Sequence, residues 1–176
     1  MSLALPRIKP TRLLLAALAA IAFAFGVAAW LGRAQGAAAP AVAYTLLDGT
    51  RHSSADWHGK VVLVNFWATT CTSCVREMPR IAALHEKFKA RGFETIAVSM
   101  SYDAPASVVN YAETRKLAFG VAIDNTGAIA RGFGDVQATP TTFLIDKRGA
   151  IAERIVGTPD FTALGTRIEE LLGAPA

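Results

Sequence analysis

The sequence predicts an α/β domain in which helices cover both faces of a mixed β-sheet. Apolar runs of strand length, 61–66 and 93–100, are each followed by a segment with apolar residues at helical spacing. Two later strands, 141–146 and 150–156, flank a turn at 147–149 and so form a hairpin. Strands that alternate with helices, followed by a hairpin and a last helix, indicate a sheet with parallel and antiparallel neighbours.

Local patterns predict the remaining elements. A short strand over 44–47 enters a turn at Asp48 and Gly49. The helix that starts at the cysteines should end at Gly92, because glycine commonly ends helices in the left-handed conformation. The other predicted elements are helices over 71–91, 105–116, 128–133 and 160–172, with Asp160 as the N-cap of the last, and a short strand over 121–123.

The net charge of +4 belongs to the N-terminal segment and not to the domain. Four basic residues precede position 37, and the first acidic residue is Asp48. From residue 37 onward, 14 basic residues balance 14 acidic ones. Nucleic-acid binding needs a basic face on the folded domain, so the composition gives no support to a nucleic-acid partner.

The N-terminal segment predicts export. A basic stretch, 1–12, precedes 13–31, which carries no charge and as a helix would reach about 28 Å, close to the thickness of a bilayer core. Its basic flank predicts that the rest of the chain lies outside the cytoplasm. We predict a transmembrane signal-anchor over 13–31, a linker over 32–43 and a domain over 44–176. A cleaved signal peptide is the alternative, because 34–39 is rich in alanine.

The two cysteines of the chain, Cys71 and Cys74, lie where a predicted strand gives way to a helix. The unpaired N–H groups and the positive dipole end of a helix start favour a thiolate over a thiol. We expect Cys71 to be an accessible nucleophile and Cys74, one turn further, to be more buried and to attack the mixed disulfide. A structural disulfide or half of a metal site is the alternative. However, closing so short a loop stabilises little, and zinc needs about four ligands.

The run NFWATTCTSCVREMP at 65–79, together with ATPTTFLID at 138–146, resembles the thioredoxin fold. More narrowly, it resembles the membrane-anchored thiol-disulfide oxidoreductases of the TlpA/ResA type, over about residues 44–172. The cysteine pair after a strand, with Pro140 at the head of a later strand, makes the resemblance specific. It implies a thioredoxin-fold α/β domain behind an N-terminal anchor, and dithiol–disulfide exchange without a cofactor or metal.

The resemblance also implies roles for three further residues. Glu77 lies three residues beyond Cys74 on the same helix face and would move a proton to or from that sulfur. Its alternative is a solvated carboxylate that only complements the helix dipole. Thioredoxins keep an aspartate where this chain has Asn65, which cannot titrate. The Thr139–Pro140 bond would be cis and would present the Thr139 backbone to an extended substrate, the alternative being an ordinary trans proline.

Aromatic and histidine residues near these motifs are harder to assign. Trp67 is predicted either to line the substrate-binding surface beside the active turn or to be an ordinary core aromatic. Thr70 stands where the resembled family commonly has a tryptophan, which changes the expected docking surface. His52, His58 and His85 are predicted to be structural, and His85 falls on the buried side of its helix.

The function that these observations favour is an extracytoplasmic thiol-disulfide oxidoreductase, acting as a reductase on protein disulfides. The resemblance implies cytochrome c maturation or metal-centre thiol reduction as the process. It also implies a membrane thiol reductase of the DsbD/CcdA type as the electron donor, and a bacterial inner-membrane protein whose domain faces the periplasm. Three alternatives remain: a thiol oxidase of the same fold, a copper-binding chaperone, since thiolates suit Cu(I), and a peroxidase acting through Cys71.

Overall fold

The computed structural model describes residues 20–23, 25–26 and 36–176. The chain divides into two units, Met1–Gly36 and Ala37–Ala176, and all elements named below belong to the second. The predicted signal-anchor, 13–31, lies largely outside the described residues. Among the residues that are described, no helix combines the length and the apolar character needed to cross a membrane.

Seven strands build the domain. They are β1 (Ala43–Thr45), β2 (Arg51–Ser53), β3 (Val61–Trp67), β4 (Phe93–Ser99), β5 (Gly120–Ile123), β6 (Thr141–Ile145) and β7 (Ile151–Val156). Five of them form one sheet in the order β5-β4-β3-β6-β7. β3, β4 and β5 are parallel neighbours, whereas β6 pairs antiparallel with β3 and β7 pairs antiparallel with β6. The predicted mixed sheet is therefore confirmed.

Four α-helices connect or follow these strands. They are α1 (Thr72–Phe88), α2 (Pro105–Thr114), α3 (Ala128–Gly132) and α4 (Phe161–Gly173), with short 3-10 helices at Ser54–Trp57 and Lys89–Arg91. Gly92 adopts φ 88°, the left-handed conformation expected of a residue that ends a helix. Asp160 caps α4, as predicted, by accepting from the Thr162 and Ala163 amides at 2.8 and 3.2 Å.

Strand β3 is buried along its whole length because both faces of the sheet are covered. On one face, Leu63 and Trp67 pack in a cluster with residues of α1 and α4 such as Met78 and Ile168. On the other face, the alternating residues of β3 pack against a second cluster, which includes Trp57, Phe133 and Phe143. A central strand of this kind must be apolar on both sides, and this explains the nearly continuous apolar run.

The N-terminal border of the domain differs from the prediction. The sequence predicts a linker up to residue 43, but the folded unit begins at Ala37. The Ile151 amide donates to the Ala37 carbonyl at 2.7 Å, and the Ala39 amide donates to the Gly149 carbonyl at 2.8 Å. Backbone pairing of this kind depends little on side chains, so an alanine-rich segment gives no sequence signal for it. The short sheet of β1 and β2 was not predicted either.

This topology is the thioredoxin fold that the resemblance implies. Because β3 and β6 run antiparallel, with Phe66 opposite Thr141, the end of β3 and the start of β6 lie at one edge of the sheet. The turn that follows β3 and the loop that precedes β6 therefore adjoin each other. These two connections carry the cysteines and Pro140.

Candidate active site

Cys71 and Cys74 form a disulfide across the start of α1, with their Cα atoms 5.2 Å apart. The Cys71 sulfur caps the helix by accepting from the Cys74 amide at 3.2 Å, and the Ser73 hydroxyl lies 3.4 Å from it. Cys71 is partly exposed, whereas Cys74 is fully buried. The sulfur that a substrate can reach is therefore the one that the helix start stabilises as a thiolate.

The side chain of Glu77 lies in the interior, three residues beyond Cys74 in α1. Glu77 is 2 % exposed, which overturns the alternative of a solvated carboxylate. Burial raises the pKa of Glu77 to about 7, and the hydrogen bond from Asn65 acts in the opposite direction. A carboxyl group with a pKa near neutrality can take up and release a proton under physiological conditions.

Asn65 connects Glu77 to the neighbouring strand. Its amide nitrogen donates to Glu77 Oε1 at 3.1 Å and to Thr142 Oγ1 at 3.0 Å. Among the described residues, the second carboxyl oxygen of Glu77 and the carbonyl oxygen of Asn65 have no hydrogen-bond partner. This network therefore has spare acceptor capacity one helical turn beyond Cys74, and it can accommodate a proton there.

A small pocket of about 150 Å³ lies beside Glu77. It is lined by Ser73, Arg76, Glu77, Arg80, Thr158 and Phe161. Thr158 belongs to the segment after β7, which no sequence motif links to the site.

The Thr139–Pro140 peptide bond is cis, as the resemblance implied. The Pro140 carbonyl accepts from the Gly157 amide at 2.8 Å, which fastens the loop to the end of β7. Within residues 36–176, by contrast, the backbone N–H and C=O of Thr139 pair with no other backbone group. The Thr139 side chain lies 3.3 Å from the hydroxyl of Tyr102, whose ring is largely exposed.

Trp67 lies in the core and not at the surface. It is 0 % exposed, belongs to the same apolar cluster as Cys74, and its ring centroid is 5.1 Å from that of Tyr111. This burial argues against the predicted substrate contact and favours the core interpretation. Thr70, directly before Cys71, is exposed. The surface in front of the disulfide is thus formed without a tryptophan at either position.

The predicted structural histidine of α1 is buried among aromatic rings. His85 packs against Phe93 and Phe119, with ring centroids 6.5 and 5.7 Å away, and burial lowers its pKa. The described part of the chain has no group of three or more His, Cys, Asp or Glu side chains arranged to hold a metal ion.

The fold and the dithiol site together define a class of protein, the thiol-disulfide oxidoreductases of the thioredoxin superfamily. The family model described as Redoxin matches residues 34–168, and the chain belongs to this family. Its activity is that of a protein-disulfide oxidoreductase.

Particular relatives narrow the class to a ResA/TlpA-like protein. The chain is 39% identical to thiol-disulfide oxidoreductase ResA of Geobacillus kaustophilus over 125 residues, which cover 71% of each protein. It is 30% identical to ResA of Bacillus subtilis over 151 residues, 84% of this chain and 83% of that protein. The crystal structure of a thiol:disulfide interchange protein from Chlorobium tepidum matches with a TM-score of 0.72 and 29% identity, covering 80% of this chain and 99% of that one.

Proposed function

We propose that this oxidoreductase works outside the cytoplasm and in the reducing direction, passing electrons from its cysteine pair to disulfides of other proteins. The observation that carries the exchange chemistry is the unequal exposure of the two sulfurs, whereas the location rests on the leader and the direction on the resemblance to the TlpA/ResA type. Cys71 is accessible at the helix start and Cys74 is buried behind it. A structural disulfide would not need one exposed sulfur that the helix start activates.

The reaction starts from the reduced pair. The Cys71 thiolate attacks one sulfur of the substrate disulfide, so that a mixed disulfide forms and the other substrate sulfur leaves as a thiolate. The Cys74 amide, which points at Cys71 Sγ, and the dipole of α1 stabilise the attacking thiolate. The leaving thiolate takes a proton from solvent.

Cys74 then completes the exchange. Its thiolate attacks Cys71 Sγ, which forms the Cys71–Cys74 disulfide and releases the second substrate sulfur as a thiolate. This thiolate also takes a proton from solvent. Two electrons have passed from the protein to the substrate, and Cys74 has lost its proton. Glu77 is the group that we assign to accept this proton, because it lies one helical turn from Cys74, is buried, and has a pKa of about 7.

An extended segment of the substrate would dock on the loop before β6. The backbone N–H and C=O of Thr139, which no backbone group within residues 36–176 uses, can pair with a substrate strand. Backbone pairing of this kind selects for an accessible, extended segment around the substrate cysteine and not for one sequence. Thr139 and Pro140 are accordingly proposed as substrate-binding residues.

The cellular role that we propose rests on the leader and on the resemblance to the TlpA/ResA type. The basic stretch followed by the uncharged segment 13–31 supports an inner-membrane protein whose domain faces the periplasm. The protein would then receive electrons from a membrane thiol reductase of the DsbD/CcdA type. Its substrates would be cysteines that must be kept reduced for cytochrome c maturation or for a metal centre.

Trapping of the mixed disulfide tests the exchange and identifies the substrate. In cells that make Cys74→Ala, a covalent adduct on Cys71 is expected to accumulate, because the second step cannot occur. The adduct should disappear on treatment with dithiothreitol and should be missing in the matched control Cys71→Ala/Cys74→Ala. If the single variant forms no adduct and the wild type exchanges with no dithiol reagent, the proposal is wrong.

The reduction potential of the Cys71–Cys74 pair, measured by equilibrium with glutathione, decides whether the protein acts as a reductase or as an oxidase. A reductase should have a potential nearer to that of thioredoxin, about −270 mV, and an oxidase one nearer to about −120 mV. We expect the purified domain to lie at the reducing end. A value at the oxidising end would assign the same chemistry to the thiol-oxidase alternative.

A further inference from the structure

Asp103 is a buried carboxylate whose hydrogen bonds converge on the turn before the cysteines. It lies between β4 and α2 and is 5 % exposed. Its Oδ2 accepts from the Thr69 amide and its Oδ1 accepts from the Thr69 hydroxyl, each at 2.6 Å. The Ser99 hydroxyl lies 3.5 Å from Oδ2. Short bonds of this kind to a charged acceptor are about twice as strong as neutral ones.

The same loop is fastened to the end of β3. The Met100 amide donates to the Trp67 carbonyl at 3.0 Å, and the Asp103 amide donates to the Met100 carbonyl at 3.0 Å. The turn itself closes with a bond from the Cys71 amide to the Ala68 carbonyl at 3.1 Å. Thr69, held at two atoms, is therefore the fixed point within a turn that ends two residues later at the nucleophile.

We propose that Asp103 is a positioning residue for Cys71. By holding Thr69, the carboxylate fixes the direction in which the backbone enters α1. It thereby keeps Cys71 Sγ within hydrogen-bond distance of the Cys74 amide. The stabilisation that a helix start gives to an anion falls off within the first turn. A small displacement of the turn therefore costs thiolate stability. This inference rests on the proposed nucleophilic role of Cys71.

Position and charge act on the thiol in opposite directions, which makes the inference testable. Loss of the geometry raises the pKa of Cys71, because the thiolate loses its donor. Loss of a nearby negative charge alone would lower it. Asp103→Ala removes both the hydrogen bonds and the charge. Asp103→Asn removes the charge, yet its amide can accept from the Thr69 amide and donate to the Thr69 hydroxyl oxygen.

The experiment follows the ultraviolet absorbance of the Cys71 thiolate against pH in the reduced protein, together with the rate of reaction with glutathione disulfide. For Asp103→Ala we expect the pKa of Cys71 to rise by about one unit. Below that pKa the rate should fall about threefold, since the tenfold loss of thiolate is partly offset by higher nucleophilicity. In Asp103→Asn, the pKa of Cys71 should be equal to or lower than its value in the wild type.

Asp124→Ala is the matched control. Asp124 is also a buried carboxylate, 3 % exposed, that accepts from two backbone amides, those of Ile129 and Ala130 at 3.2 and 2.8 Å. Its loss should lower thermal stability without moving the pKa of Cys71. If Asp103→Ala does not fold, Thr69→Val keeps the charge, removes the hydroxyl bond and should raise the pKa by a smaller amount.

Two results would overturn the inference. The pKa of Cys71 could stay unchanged in Asp103→Ala while stability falls as in Asp124→Ala, which would make Asp103 purely structural. Alternatively, both Asp103 variants could lower the pKa, which would make the charge the operative property. A wild-type protein that does not react with glutathione disulfide would instead contradict the proposed function, so the two failures are distinguishable.

Discussion

The amide nitrogen of Asn65 donates a hydrogen bond to Glu77 Oε1 over 3.1 Å, and neither side chain is exposed by more than 2 %. This contact joins the central strand to the first helix one turn beyond Cys74. Since asparagine does not titrate, it holds the carboxyl group in place without adding a second charge. The pKa of Glu77 is then governed mainly by burial, which favours the protonated form.

Glu77 should make the stability of the oxidised protein depend on pH. Burial raises its pKa from 4.5 to about 7, so the folded protein binds this proton more tightly than the unfolded chain does. The corresponding stabilisation is complete below about pH 4.5 and is lost as the pH rises through about 7. Its size is roughly 3 kcal/mol. We expect Glu77→Gln to lack this loss, as measured by urea unfolding at several pH values.

The difference between wild type and Glu77→Gln is the informative quantity. Other groups, such as His85, titrate in both proteins, so their contributions cancel in this difference. A difference that stays constant between pH 5 and pH 8 would show that Glu77 is ionised throughout this range and that burial does not hold its proton.

The same substitution should slow the second chemical step. Glutamine cannot accept the proton of Cys74, so the mixed disulfide should persist, and its resolution should slow by roughly 10²-fold, the lower end of general acid–base effects. Formation of the mixed disulfide by Cys71 should change little. Rapid quenching of a single turnover with a peptide disulfide separates the two rates. Equal slowing of both steps would assign Glu77 a structural role.

Much of the fold is predictable because local patterns determine it. The strand predicted at 61–66 is Val61–Trp67, and the predicted C-terminal helix begins after its predicted cap, Asp160. Both elements depend on the spacing of apolar residues and on capping side chains, which can be identified from the sequence alone. The pairing of Ala37 with Ile151 cannot be identified from the sequence, because it is a hydrogen bond between backbone groups and requires no particular side chain.

The site was predictable in part for the same reason. Cys71, Cys74 and Pro140 belong to motifs at the ends of strands, and strand topology brings those ends together. Alternation along β3 places Asn65 on the face that it shares with Leu63 and Trp67, but the contact of Asn65 with Glu77 is not among the sequence predictions. The bonds between Thr69 and Asp103 join two irregular segments, which have no period from which a contact could be predicted.

Asn65→Asp should shift to higher pH the profile of the rate at which Cys74 resolves the mixed disulfide. A second carboxyl group in contact with Glu77 makes the pair share a proton, so that one apparent pKa falls and the other rises above about 7. The rate of resolution in a single turnover, measured from pH 5 to pH 9, should reach half its maximum at a higher pH. Thr142→Val is the control, since it removes the other acceptor of the Asn65 amide without adding a charge. An unchanged profile for Asn65→Asp would mean that Glu77 does not limit this step.

Trp67→Phe tests whether Trp67 contacts substrate or only fills the core. The indole is fully buried and its Nε1 has no partner among the described residues, so phenylalanine loses no hydrogen bond and leaves a modest cavity. We expect a loss of about 1–2 kcal/mol in the free energy of unfolding, from packing alone. KM for a protein disulfide should stay the same, because nothing on the docking surface changes.

Tyr102→Ala is the matched comparison, since that exposed ring lies beside Thr139. This variant should raise KM for the protein disulfide and change the free energy of unfolding by no more than about 0.5 kcal/mol. A raised KM in Trp67→Phe at unchanged stability would instead return Trp67 to the substrate-binding surface.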